Sequence, residues 1–175
     1  MKIPENIVLI GMPAAGKSTV GVCLAKLLGY DYLDTDILIQ RTYNARLEDL
    51  IRRYGDDGFL KIEENVCSTV HPVQSVIATG GSVVYSRQAM EHLGEIGLRV
   101  YLQVKYKELL NRLGDLRRRG AVLRDGQSFL DLYTERTALY ERYADLTVEE
   151  REMSLDETIE AVHSAVTALS GIDSI

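Results

Sequence analysis

Nine consecutive residues, Gly11-Met12-Pro13-Ala14-Ala15-Gly16-Lys17-Ser18-Thr19, follow the spacing G-x-x-x-x-G-K-[ST]. Glycine at Gly11 and Gly16 lets the backbone turn so that successive N–H groups point into one concave space. At the start of a helix such an array attracts phosphate oxygens. Lys17 stands where an ammonium can bridge the terminal phosphates, and Ser18 where a hydroxyl can ligate Mg²⁺. Ala14 and Ala15 supply loop amides, and Thr19 can reach the first phosphate. The pattern predicts a nucleoside triphosphate, and it is silent about what receives the phosphoryl group.

A second chemical feature is Asp34-Thr35-Asp36. Read as the end of a strand, residues two apart face the same way. Both carboxylates would then project from the C-terminal edge of a sheet, where open α/β folds bind ligands. One could hold a Mg²⁺-bound water and the other accept the proton of an attacking hydroxyl. An Asp at this point also suits a helix N-cap.

Two ionisable residues fall on apolar helical stripes. Between Ser128 and Tyr143 the stripe is Phe129, Leu132, Tyr133, Leu139, Tyr140 and Tyr143, and Arg136 lies in its middle. An inward guanidinium must find an anion or several acceptors, in a ligand or in a structural ion pair. On the helix from Phe59, Glu63 shares the side of Ile62, Val66 and Val70. It would pair with Arg136 or Lys61, or face a cationic group on a substrate such as a hydroxy amino acid.

The elements that must position these groups alternate. Short apolar strands end before Gly11, at Asp34 and before Gly80-Gly81, with further strands at Leu98 to Val104 and Leu146 to Val148. Helical patterns run from Ser18 to Leu28, from Ile37 to Tyr54 with a break near Asn44, from Phe59 to Val70, from Arg87 to Leu93, from Tyr106 to Leu113, from Ser128 to Tyr143 and from Leu155 to Leu169. Alternation of this kind makes an α/β fold with a parallel sheet and helices on both faces. The 175 residues fit one domain, 1–175. The Arg-rich, glycine-punctuated segment 114–127 is too long for a mere connection and reads as a lid. Before and within it, Arg117-Arg118-Arg119 either contacts adenine and phosphates or forms a solvated helix end.

A net charge of -6 argues against nucleic-acid binding through a broad basic face. No apolar run approaches a membrane span, and the N-terminus lacks a secretory cleavage pattern. Cys23 and Cys67 read as free thiols in a reducing cytoplasm. The expected partner is a small hydroxy acid, and the expected state is a monomer.

With these residues in place the chain resembles the shikimate kinase family. The resemblance rests on the phosphate loop with Pro13, the Asp-x-Asp after the second strand, Gly80-Gly81 after the third, and Arg136 in Glu-Arg-x-x-x-Tyr. It implies the nucleoside-monophosphate-kinase fold, a five-stranded sheet in the order 2-3-1-4-5, a lid, and a substrate-binding region at about 34–70. It implies ATP and Mg²⁺, with Asp34 at the metal and Asp36 on the substrate hydroxyls. Gly80 and Gly81 would offer backbone N–H groups, Arg136 would clamp a carboxylate, and Arg124 would reach the phosphates from the lid. The expected reaction is conversion of shikimate to shikimate 3-phosphate. Other small acceptors, such as a hydroxy amino acid, gluconate or a nucleoside monophosphate, and a non-catalytic nucleotide-binding module are the alternatives. Three positions and the lid depart from the family pattern. Leu60 replaces a second carboxylate-clamping arginine, Ser82 the third glycine, and Ala14 a frequent loop glycine. The lid lacks the usual Arg-Pro.

Overall fold

A computed structural model describes residues 5–112, 126–150 and 153–169. The expectations placed on Arg117, Arg118, Arg119 and Arg124 lie outside them, as does most of the lid segment.

Five strands form one parallel sheet: β1 (Asn6–Ile10), β2 (Asp31–Asp34), β3 (Ser75–Ala78), β4 (Leu98–Val104) and β5 (Leu146–Glu150). Their order is β2-β3-β1-β4-β5. Ile7, Val8, Leu9 and Ile10 are wholly buried, as a central strand covered on both faces must be. The helices are α1 (Lys17–Leu28), α2 (Thr35–Tyr43), α3 (Leu47–Cys67), α4 (Arg87–Ile96), α5 (Tyr106–Arg112), α6 (Phe129–Tyr143) and α7 (Leu155–Leu169). A 3-10 turn covers Val83–Tyr85. Among the described residues no helix is long and apolar enough to cross a membrane.

The register decides where chemistry can happen. Leu9 and Asp34 both pair with Ala78. The chain therefore leaves β1, β2 and β3 at one edge of the sheet. Gly11, Thr35 and Thr79 follow the three strand ends, and Thr79 ties two of these ends together by donating from its N–H and its hydroxyl to Leu9 O.

Several expected boundaries move for local reasons. α2 begins at Thr35 rather than Ile37 because Asp34 caps it: Oδ1 accepts from Asp36 N at 3.0 Å and Ile37 N at 3.2 Å. It ends at Asn44, which adopts φ 49°. The expected break between Tyr54 and Phe59 is present: within α3 the helix is interrupted at Gly55, where φ is 70° and ψ 178°, so its two halves meet across a kink. Its apolar face is the one the periodicity predicts: Phe59, Ile62, Glu63 and Val66 are buried. α6 starts behind a capping box made by Ser128 and Asp131. Arg112, the last described residue of α5, donates from two nitrogens to Glu150 at 2.9 and 3.0 Å.

Candidate active site

A cavity of about 280 Å³ opens where the strands end, walled by the loop residues Ala14, Gly16, Lys17, Ser18 and Thr19 on one side and by Asp36, Glu63, Gly80, Gly81 and Ser82 on the other. The loop side is built from backbone. Gly11, Ala14 and Gly16 all have positive φ, at 146°, 66° and 86°. A Cβ on Gly11 would stand 2.8 Å from Leu102 O, so the first loop position admits no side chain. Ala14 holds the left-handed conformation as an L-residue, at a cost of about 1 kcal/mol. The Ala15 N–H donates to Met12 O at 3.1 Å, closing the turn. Lys17 Nζ donates to Gly11 O at 2.7 Å and Met12 O at 2.8 Å, which holds its ammonium at the mouth of the loop. Burial lowers its pKa to about 8, against the raising effect of the Asp36 carboxylate.

Asp34 does two things at once. One oxygen caps α2; the other accepts from Ser18 Oγ at 3.0 Å and Tyr32 Oη at 3.1 Å. The Ser18 hydroxyl and a carboxylate are thus already juxtaposed, a hard-oxygen pair of the kind Mg²⁺ prefers. Asp36 points to the cavity from the first turn of α2. The pairing of Asp34 and Asp36 therefore arises from a helix start, and the strand-alternation argument for it is incorrect. Burial, with the charge of Asp34 next, raises Asp36 to about 6, and Lys17 opposes the shift. A carboxylate so tuned can take a proton near neutral pH.

On the opposite wall Glu63 is 1% exposed. Its hydrogen bond comes from the Ser82 hydroxyl at 2.5 Å, not from Arg136 or Lys61, and Lys61 is exposed. Burial raises Glu63 to about 7, while Ser82, Arg136 and Lys17 pull it down. Gly80 is required here because a Cβ would overlap Glu63 Oε1 and stand 2.8 Å from Asp36 Oδ1. Its N–H, expected to face a ligand, instead donates to Thr35 Oγ1 at 3.1 Å. What Gly80 offers is absence of bulk. Arg136 is 0% exposed. It lies behind Gly81, where Nη1 would be 3.1 Å from an added Cβ, and over the ring of Tyr85 at 5.1 Å.

A family model described as shikimate kinase matches residues 13–167. The chain belongs to the shikimate kinase family. This is a family of small-molecule kinases with an alcohol acceptor. The shikimate kinase of Clostridium botulinum (strain Loch Maree / Type A3) is 36% identical over 142 residues, 79% of this chain and 84% of that protein. That of Thermoanaerobacter pseudethanolicus is 32% identical over 168 residues, 94% and 98%. The shikimate kinase of Acinetobacter baumannii, solved in complex with shikimate, superposes with a TM-score of 0.86 at 28% identity, covering 96% of each chain.

In this shikimate kinase family member, Ala14, Gly16, Lys17, Ser18, Thr19, Asp36, Glu63, Gly80 and Gly81 all reach the cavity wall. Gly11, Ala15, Asp34 and Arg136 do not line it. Sequence reasoning missed Ser82 as the partner of Glu63, and it placed Tyr140 on the inward stripe without the bond its hydroxyl donates to Gly81 O. Tyr140 was legible in part, since it lies one helical turn after Arg136 on the same stripe.

Proposed function

We propose that this protein transfers the γ-phosphoryl group of ATP to a hydroxyl of shikimate, giving shikimate 3-phosphate, with Mg²⁺ accompanying the nucleotide. One observation carries the reading: a phosphate loop with a buried lysine and a carboxylate raised to about 6 share a single cavity with a wholly buried arginine behind its far wall. Family membership supplies the acceptor.

The residues fit both groups. Loop positions held at positive φ turn amides toward phosphate oxygens. Ser18 and Asp34, 3.0 Å apart, would hold Mg²⁺ directly or through a water. When bound, that ion neutralises charge on the terminal phosphates. Lys17 would lend its ammonium to the same charge. From the lid, Arg124 would add to it and Arg117 would meet the nucleotide. Asp36 would orient the attacking hydroxyl and take its proton, while Arg136 would hold the carboxylate through Gly81's open side. Glu63 would complete the acceptor wall. Placing both reactants in one small cavity supplies most of the rate enhancement, and closure would keep water from competing.

The protein would act as a monomer. Free thiols at Cys23 and Cys67 suit the cytoplasm. Incubation with MgATP and shikimate, followed by phosphorus NMR, should show one new phosphate monoester in step with ADP. Formation of inorganic phosphate without the ester would overturn the reading.

A further inference from the structure

Glu63 presents an unusual imbalance. Oε2 accepts from the Ser82 hydroxyl, while Oε1 is buried and has no hydrogen-bond partner. Oε1 faces the side of Gly80 from which a Cβ is missing, as does Asp36 Oδ1. A buried carboxylate oxygen without a donor is costly, so a fold that keeps one beside a cavity is shaped to receive a donor there. No described group donates to it. Leu60 is apolar and lines a different cavity with Tyr85, and Lys61 is exposed. Ser82 itself is 3% exposed and walls both cavities.

We infer that Ser82 is a positioning residue for acceptor recognition: its hydroxyl holds Glu63 so that Oε1 receives a second hydroxyl of the acceptor, next to the one that faces Asp36. The acceptor class this selects is a carboxylic acid bearing neighbouring hydroxyls. The inference deepens the proposed function and rests on it. Loss of Ser82 would free both carboxylate oxygens, and Glu63 would rotate or hold its proton to higher pH. The groups that set its charge are Ser82, Asp36 on α2, Arg136 on α6 and Lys17 on α1, while its own charge raises Cys67 on its own helix and Tyr140 on α6. Only Asp36 among those that act on Glu63 favours the proton, so removing the Ser82 bond tips the balance the same way.

Steady-state kinetics from acid to alkaline pH test this with wild type, Ser82→Ala, Ser82→Thr, Glu63→Gln and the Ser82→Ala/Glu63→Gln double variant. Ser82→Ala should raise the shikimate KM about tenfold near neutral pH, the loss of one hydrogen bond to a charged group. The ATP KM should stay within about twofold, and the acid limb of kcat/KM for shikimate should move up by about one pH unit. Ser82→Thr should restore most of the loss. The double variant should be no worse than Glu63→Gln alone, because the two side chains act as one unit. A Ser82→Ala effect that is equal on both substrates, or the same at every pH, would overturn the positioning role. Wild-type turnover of shikimate tests the functional reading separately, since the Ser82 result is read as a ratio to wild type.

Discussion

The two walls of the cavity are made differently. The donor wall is main chain: Gly11, Ala14 and Gly16 fix its shape through positive φ, and Lys17 is tethered to two loop carbonyls. The acceptor wall is side chain: Asp36, Glu63, Ser82 and Arg136 come from α2, α3, the loop after β3 and α6. A backbone cradle reads any nucleoside triphosphate by its phosphates, and a contiguous motif suffices to encode it. A side-chain wall chooses one acceptor and needs four separate elements in register. Generality and specificity thus occupy opposite sides of one cavity.

Breaking the donor wall should produce the largest effect. Lys17→Ala should lower kcat/KM for both substrates by at least about a thousandfold, roughly 4 kcal/mol of transition-state stabilisation. A loss below about tenfold in a coupled assay would remove Lys17 from the chemistry. On the acceptor wall, Arg136→Met should raise the shikimate KM about a hundredfold, as expected when a buried cation leaves a carboxylate unmatched, with the ATP KM nearly unchanged. Equal changes in both constants would show that the walls are not separable.

Glu63 sharpens the comparison through stability. Its folded pKa of about 7 stands above its ordinary value of 4.5. Its contribution is therefore fully present below about pH 4.5 and is lost as pH rises through about 7. Glu63→Gln cannot lose what it does not titrate. In denaturant titrations of the unliganded protein, the variant should gain on wild type by on the order of 2 kcal/mol between acid pH and pH 8. A gap that stays constant with pH would mean that Glu63 is not held neutral by burial. The smallest effect belongs to the donor wall. Ala14→Gly should relieve a left-handed alanine at φ 66° and shift stability by about 1 kcal/mol or less, because glycine's extra freedom in the unfolded chain offsets part of the relief.

The same contrast explains what the sequence disclosed. The phosphate loop was legible because its meaning is local: strand, glycines, lysine and helix follow one another. Arg136 and Glu63 were legible as inward charges because a 3.6-residue period marks the buried side of a helix without reference to anything else. The partner of Glu63 was not, because Ser82 comes from the loop after β3, 19 residues away in sequence. Asp34 and Asp36 were paired correctly for an incorrect reason. Whether a strand continues or a helix begins at Thr35 depends on the cap that Asp34 itself provides. Gly80 was assigned an amide for a ligand, whereas Thr35, brought close by the β2–β3 pairing, accepts that N–H. Ser82 and Gly80 meet their partners, on α3 and α2, only through the sheet register, whereas the Asp34 cap is local to one segment.

The most direct test couples ADP release to an optical signal, with MgATP held saturating and shikimate present or absent. The two-walled cavity predicts ADP formation that depends on shikimate and disappears in Lys17→Ala. ADP released at one rate with or without shikimate would contradict it.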